Sequence, residues 1–219
     1  MFASVSLRET AAALVLPRAP GRAGPNAVFI FEVGEGRAMS VIGFVGLPGS
    51  GKSEAAAVAS DLGIPVVTMG DVIRAECRDR GLDPATEHGR VAKALREENG
   101  PAAIAERSLP LIEAELEDSE TVVVDGIRSA VEVEEFEAAF GEDFSLVSIE
   151  APFETRKERL DLRGRDASTE EGGESLADRD ARELDFGMGE AMERADRTVE
   201  NTETLAAFQD RIRTILSEQ

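Results

Sequence analysis

Residues 46–53 read Gly46-Leu47-Pro48-Gly49-Ser50-Gly51-Lys52-Ser53 and match the spacing G-x-x-x-x-G-K-[ST] in full. Glycines so placed let successive backbone N–H groups form one concavity around phosphate oxygens. The lysine brings a mobile charge to the β and γ phosphates, and the hydroxyl of Ser53 can ligate Mg²⁺. The chemistry implied is binding of a nucleoside triphosphate, with ATP and Mg²⁺ the expected cofactors. A chance match in a glycine-rich loop is the competing reading. Two facts weigh against it: the chain has only three lysines (Lys52, Lys93 and Lys157), and the segment lies between an apolar β-branched run and a helix-forming one.

Two further stretches carry residues suited to a phosphate site. Thr68-Met69-Gly70-Asp71-Val72-Ile73-Arg74 follows the second apolar run. Asp71 suits a helix N-cap there, and Arg74, one turn on, can grip a phosphate on a second substrate. A plain cap beside a surface arginine is the structural alternative. Val122-Val123-Val124-Asp125-Gly126-Ile127-Arg128 ends a third apolar run. Asp125 stands where a Walker B carboxylate holds Mg²⁺ directly or through water. Gly126 permits close approach of the backbone, and Arg128 would reach the same cleft as Arg74. A turn aspartate with a solvated arginine is the alternative.

Arg163-Gly164-Arg165 closes a helical stretch and opens the polar, glycine-bearing segment 164–175. This segment is a candidate mobile lid, and Arg163 or Arg165 would neutralise charge on the transferred phosphoryl group as an in-cis arginine finger does. Arg156, Arg159 and Arg163, at i, i+3 and i+7, alternatively line one helix face and pair with neighbouring glutamates. His88, the only histidine, sits in a polar helix start and reads as exposed and inactive. No Cys/His cluster suggests zinc. The lone Cys77 cannot form an internal disulfide and reads as a passive thiol, which suits a reducing, cytoplasmic setting.

The positioning elements follow from hydrophobic periodicity. Apolar runs at 41–45, 64–68, 121–125, 144–150 and 196–200 predict strands. Helices are predicted at 52–62, 71–80, 86–117 with a break at Asn99-Gly100-Pro101, 129–139, 152–163, 176–193 and 203–217. Strands alternating with helical crossovers imply an α/β fold with a parallel sheet covered on both faces, and ligands at the carboxyl ends of its strands. Residues 1–38, with Pro17, Pro20 and Pro25 and no sustained period, predict a flexible N-terminal extension or an upstream start ahead of Met39. The P-loop domain is then 39–219.

The chain of 219 residues carries a net charge of −20, with 44 acidic against 24 basic residues. A surface so acidic repels itself unless salt shortens the Debye length to about 3 Å near 1 M, so a halophilic host is expected. A broad nucleic-acid interface would need a basic face and is not expected. No apolar run approaches the ~18 residues of a membrane span. The chain leaves the oligomeric state open.

The order of these motifs resembles the adenylate-kinase-type nucleoside monophosphate kinases. Its carriers are Gly46–Ser53, Gly70-Asp71-x-x-Arg74, Asp125-Gly126-Ile127-Arg128 and Arg159-Leu160-x-x-Arg163-Gly164-Arg165. Ala195-Asp196-Arg197-Thr198-Val199-Glu200-Asn201 is similar to the last strand of dephospho-CoA kinases. Together, residues 39–219 most resemble an archaeal family of P-loop kinase-like proteins related to both. The resemblance implies a five-stranded parallel sheet in order 2-3-1-4-5, an acceptor-binding helical region over about 70–118 and a lid over about 164–176. It implies that Arg74 and Arg128 contact the acceptor phosphate and that Arg163 or Arg165 contacts the donor. Asp71 matches an acidic residue after strand two of dephospho-CoA kinases, where a carboxylate can serve a hydroxyl acceptor as base.

Two departures matter. Ile127 runs straight into Arg128 where adenylate kinases place a proline, and the lid segment lacks a metal-binding Cys/His set. The acceptor is therefore not named by analogy, and a nucleoside monophosphate and dephospho-CoA both remain. A GTPase would need Asn-Lys-x-Asp and an ABC-type ATPase a signature loop, and neither is present. The chain beyond residue 38 is also short for a hexameric AAA motor and has no recognisable sensor arginines. The expected activity is ATP-dependent phosphoryl transfer to a small nucleotide-like acceptor. The alternative is an ATP-binding regulatory protein with weak ATPase activity.

Overall fold

The computed structural model describes residues 39–162 and 175–218. Residues 1–38 and most of the expected lid, with Arg163 and Arg165, lie outside the described residues.

Five strands form one parallel sheet in the order β2-β3-β1-β4-β5: β1 Ser40–Val45, β2 Val66–Thr68, β3 Thr121–Asp125, β4 Phe144–Glu150 and β5 Arg197–Glu200. β1 is buried along its whole length, as a continuous β-branched run must be when helices cover both faces. Its alternate residues divide the core. Val41 and Val45 face one layer, with Phe136, Leu95 and Ile112. Ile42 and Phe44 face the other, with Val58 and Ala59 of α1 (Lys52–Asp61) and Phe208, Ile212 and Leu216 of α9 (Leu205–Ser217). These last three recur at i, i+4 and i+8. Burying each stabilises the fold by about 1.5–3 kcal/mol.

The first layer is built from α2 (Met69–Asp79), α3 (Pro84–Asn99), α4 (Ala103–Asp118), α5 (Ala130–Phe140) and α8 (Met188–Glu193). α6 (Phe153–Leu162) and α7 (Leu176–Asp185) lie beside the loop that follows β1. Parallel register sets Phe44 of β1 beside Asp125 of β3, so the end of β3 lies next to the turn that leaves β1.

Two local expectations are corrected. α2 begins at Met69 with Thr68 as its cap residue, so Asp71 lies in the first turn rather than at the N-cap. There its charge still complements the helix dipole. The helix expected over 176–193 is two helices, because Gly187 adopts φ +106° and breaks the run between α7 and α8.

Candidate active site

The loop Gly46–Gly51 joins β1 to α1 and lines a cavity of about 240 Å³ with Lys52, Ser53 and, from β3, Asp125. Two of its glycines are obligatory. At Gly46 a Cβ would stand 2.3 Å from the Ile149 carbonyl oxygen. At Gly51, with φ +120°, it would stand 2.4 Å from Asn201 Nδ2. Asn201 donates Nδ2–H to the Ser50 carbonyl at 2.8 Å, and its own carbonyl and Oδ1 accept from Arg159 Nη2 at 2.9 and 3.0 Å. The loop is thereby braced from the end of β5.

Lys52 donates to the carbonyls of Gly46 and Leu47, the latter at 3.2 Å. Burial pushes its ammonium down to about 8, while Asp125 and then Glu183 pull it back up. Burial likewise raises the Asp125 carboxyl, with Lys52 opposing. Ser50 Oγ is buried without a hydrogen-bond partner at the bend of the loop, an orphan that an incoming polar ligand can satisfy. Ser53 and Asp125 line one cavity and offer the hard oxygen donors Mg²⁺ takes. Among the described residues no group of three or more His, Cys, Asp or Glu could hold a metal by itself. Such an ion therefore needs phosphate oxygens as well, which is the usual pattern for Mg²⁺.

Sequence reasoning missed the arginine that ties this loop to α7. Arg156 of α6 is 4 % exposed and donates to the Pro48 carbonyl at 3.0 Å and the Ala151 carbonyl at 3.1 Å. It also forms a bidentate pair with Asp180 at 2.7 and 2.6 Å. Arg156 and Arg159 thus bind the loop and its brace, and the partners of Arg156 are not the helix-face glutamates expected of it. α7 contributes Arg179 and Glu183 to the same cavity. Its charges of both signs read as a solvated face, and nothing in the sequence singles these out.

A second cavity of about 820 Å³ opens beside the first. Ile73 of α2, Ala92 of α3, Val131 of α5 and the exposed Phe186 supply its apolar surface. Lys93, Arg96, Arg128 and Arg182 supply four cations against Glu97, Glu183 and Asp185. The Arg96 guanidinium lies 4.5 Å from the centre of the Phe186 ring. Arg96 also donates to the fully buried Glu132 at 2.8 Å, and the other oxygen of Glu132 accepts from the Arg128 backbone N–H at 2.8 Å. Glu132 therefore fixes the chain direction at Arg128. The spacing Ser129-x-x-Glu132 was a legible signal for it, being that of a capping box, and Ser129 does cap α5.

Arg128 and Glu183 pair through Nη1 and Oε1 and border both cavities. Arg74 is placed otherwise. It is bound by Asp71 at 2.8 Å on the surface of α2, and neither residue lines either of these two cavities. Arg74 and Arg128 nevertheless both act on His88. Both repel a proton on His88, whose pKa is lowered first by burial, then by these cations, against a backbone hydrogen bond at Gly70. His88 is half-buried rather than exposed. Cys77 is fully buried in the core. Among the described residues no helix is long and apolar enough to cross a membrane.

Residues 45–174 match the family model described as an AAA domain. A UPF0200 protein of Halobacterium salinarum is 59% identical over 179 residues, covering 82% of this chain and 93% of the relative. A UPF0200 protein of Methanosarcina mazei is 47% identical over 182 residues, covering 82% and 95%. Two solved structures share the fold. TT1252 from Thermus thermophilus has a TM-score of 0.55 at 23% identity, covering 82% of this chain and 97% of that one. Shikimate kinase from Bacteroides thetaiotaomicron has a TM-score of 0.53 at 18% identity, covering 82% and 99%.

Proposed function

The chain belongs to the UPF0200 protein family and carries a P-loop nucleotide-binding domain of kinase-like fold, and on that premise we propose that it transfers the γ-phosphoryl group of ATP to a small nucleotide-like acceptor. The supporting observation is the junction of the two cavities. A P-loop cleft meets a larger, partly apolar cavity lined by four cations and three carboxylates, in a chain whose net charge is −20. Cations gathered against so strong an acidic background favour an anionic second substrate. The apolar surface suits the base or pantetheine part of a nucleoside monophosphate or dephospho-CoA.

In this reading the loop amides and Lys52 hold the donor phosphates, and Arg156 and Asn201 keep the loop rigid. Phosphoryl transfer demands mainly such positioning and charge neutralisation. Mg²⁺, held by Ser53 and Asp125, would neutralise charge on the β and γ oxygens when bound. Arg128 faces the acceptor, while Arg74 is held by Asp71 outside both cavities. Arg163 or Arg165 would serve the donor side, and Arg179 lines the P-loop cavity from α7.

The test is ATP turnover in high salt with AMP, CMP, UMP, dAMP and dephospho-CoA added in turn. Acceptor-stimulated ADP release that disappears in Lys52→Ala supports the reading. Turnover independent of every acceptor would favour an ATP-binding regulatory protein instead.

A further inference from the structure

Among the described residues only Arg128 and Glu183 border both cavities. A group passing from donor to acceptor must cross where the two spaces join, so these side chains flank the crossing point. Glu183 is 7 % exposed, and Arg128 engages its Oε1, which leaves Oε2 to accept a proton. Glu183 also lies near enough to Lys52 to favour the charged ammonium.

This arrangement discriminates between acceptor types. A reacting phosphate is already anionic and needs no base, so a carboxylate at the crossing point would serve it in no proton transfer. An alcohol is neutral, and its proton must leave as its oxygen bonds to phosphorus. A carboxylate within hydrogen-bond reach meets that need. Asp71 is a poor candidate for the task, since its side chain is 60% exposed, bound to Arg74 and outside both cavities.

Building on the phosphotransferase reading, we propose that Glu183 is the general base and that the reacting group of the acceptor is a hydroxyl carried on an anionic, partly apolar molecule. The hydroxyl oxygen forms a new bond to Pγ. The bond from Pγ to the β,γ-bridging oxygen breaks, and its electron pair leaves with ADP. The hydroxyl proton passes to Glu183 Oε2 and from there to water. Arg128 aims the carboxylate through Oε1, while Glu132 holds the Arg128 main chain. Arg96, Lys93 and Arg182 meet the charged end of the acceptor, and Phe186 and Val131 meet its apolar part.

The experiment uses the full chain with MgATP in high salt and reads products by ³¹P NMR. The probes are adenosine, cytidine and dephospho-CoA, which offer hydroxyls, and AMP, CMP and UMP, which offer a hydroxyl and a phosphate together. The product bond identifies the reacting group. Expected is a phosphomonoester. Its rate should fall about 100-fold or more in Glu183→Gln, with MgATP affinity by calorimetry unchanged, and return in part in Glu183→Asp. A phosphoanhydride product, or a Glu183→Gln rate within about threefold of the wild type, overturns the proposal and leaves the kinase reading intact. Should Glu183→Gln fail to fold, the wild-type product still decides the acceptor. A Glu183→Asp rate equal to wild type then counts against the base. Failure of the wild type to bind MgATP, or to phosphorylate any probe, sinks the kinase reading and this proposal with it.

Discussion

Asn201 donates its side-chain amide to the Ser50 carbonyl at 2.8 Å, joining the last strand of the sheet to the loop that follows the first. Removing that donor leaves a buried carbonyl unsatisfied, a loss of about 1–3 kcal/mol. Asn201→Ala should lower the free energy of unfolding in urea by that amount, with a lower midpoint, and weaken MgATP binding. Gly51→Ala should destabilise the fold as well, since its Cβ would collide with Asn201 Nδ2. The double variant should cost less than the two singles together, because Asn201→Ala removes the atom struck. An unchanged midpoint in Asn201→Ala would show that the brace does not support the loop.

Lys52 gives a pH signature. Its ammonium titrates at about 8 when folded, against an ordinary 10.5. Between these values the unfolded chain holds the proton and the folded chain does not, so this lysine's contribution to stability rises with pH across the window. Below pH 8 its buried charge opposes folding. A bound polyphosphate restores the charge. MgATP binding should therefore take up little proton at about pH 7 and most of one at about pH 9, measured by calorimetry in buffers of differing ionisation enthalpy. The uptake should vanish in Lys52→Ala. Equal uptake in that variant would assign the proton elsewhere.

The Arg156–Asp180 pair is buried, with side-chain exposures of 5% and 13%. Breaking such a pair from one side costs about 3–5 kcal/mol, because the surviving charge is left without a partner. Asp180→Leu should show that loss in urea unfolding. Arg156→Met should lose more, since Pro48 and Ala151 also lose a donor. The double variant should cost less than the sum. Strict additivity would mean that the two side chains do not couple.

Net charge predicts a salt requirement. The melting temperature should be higher in about 2 M than in about 0.1 M KCl, as screening relieves repulsion among the excess carboxylates. Equal values would remove the case for a salt-adapted surface.

The P-loop and Asp125 were legible in the sequence because their requirements are local. A phosphate concavity demands glycines at fixed spacing, and a strand ending in aspartate needs only its own apolar run to announce it. Sheet order followed from the resemblance the motifs carry. Arg156, Arg179, Asp180 and Glu183 were not legible, because on α6 and α7 their charges resemble a solvated face. Only the packing of those helices around the loop after β1 turns them inward. The shift of α2 by one half-turn moved Asp71 from cap to first turn, a boundary that propensity alone does not set. Gly187 ended α7 by its left-handed conformation, whereas a glycine within a helical pattern does not by itself announce a break.

The ion pairs among the described residues range from exposed to enclosed. Pairs such as Arg213–Asp210 stand in solvent, with side chains 44% and 75% exposed, and dissolved ions weaken them readily. Arg156–Asp180 and Arg96–Glu132, which tether the loop to α7 and position Arg128, are enclosed. A concentrated brine that loosens the outer pairs leaves the inner ones at nearly full strength. The cleft would thus keep its shape over a range of salinity in which the rest of the surface is electrostatically rewritten.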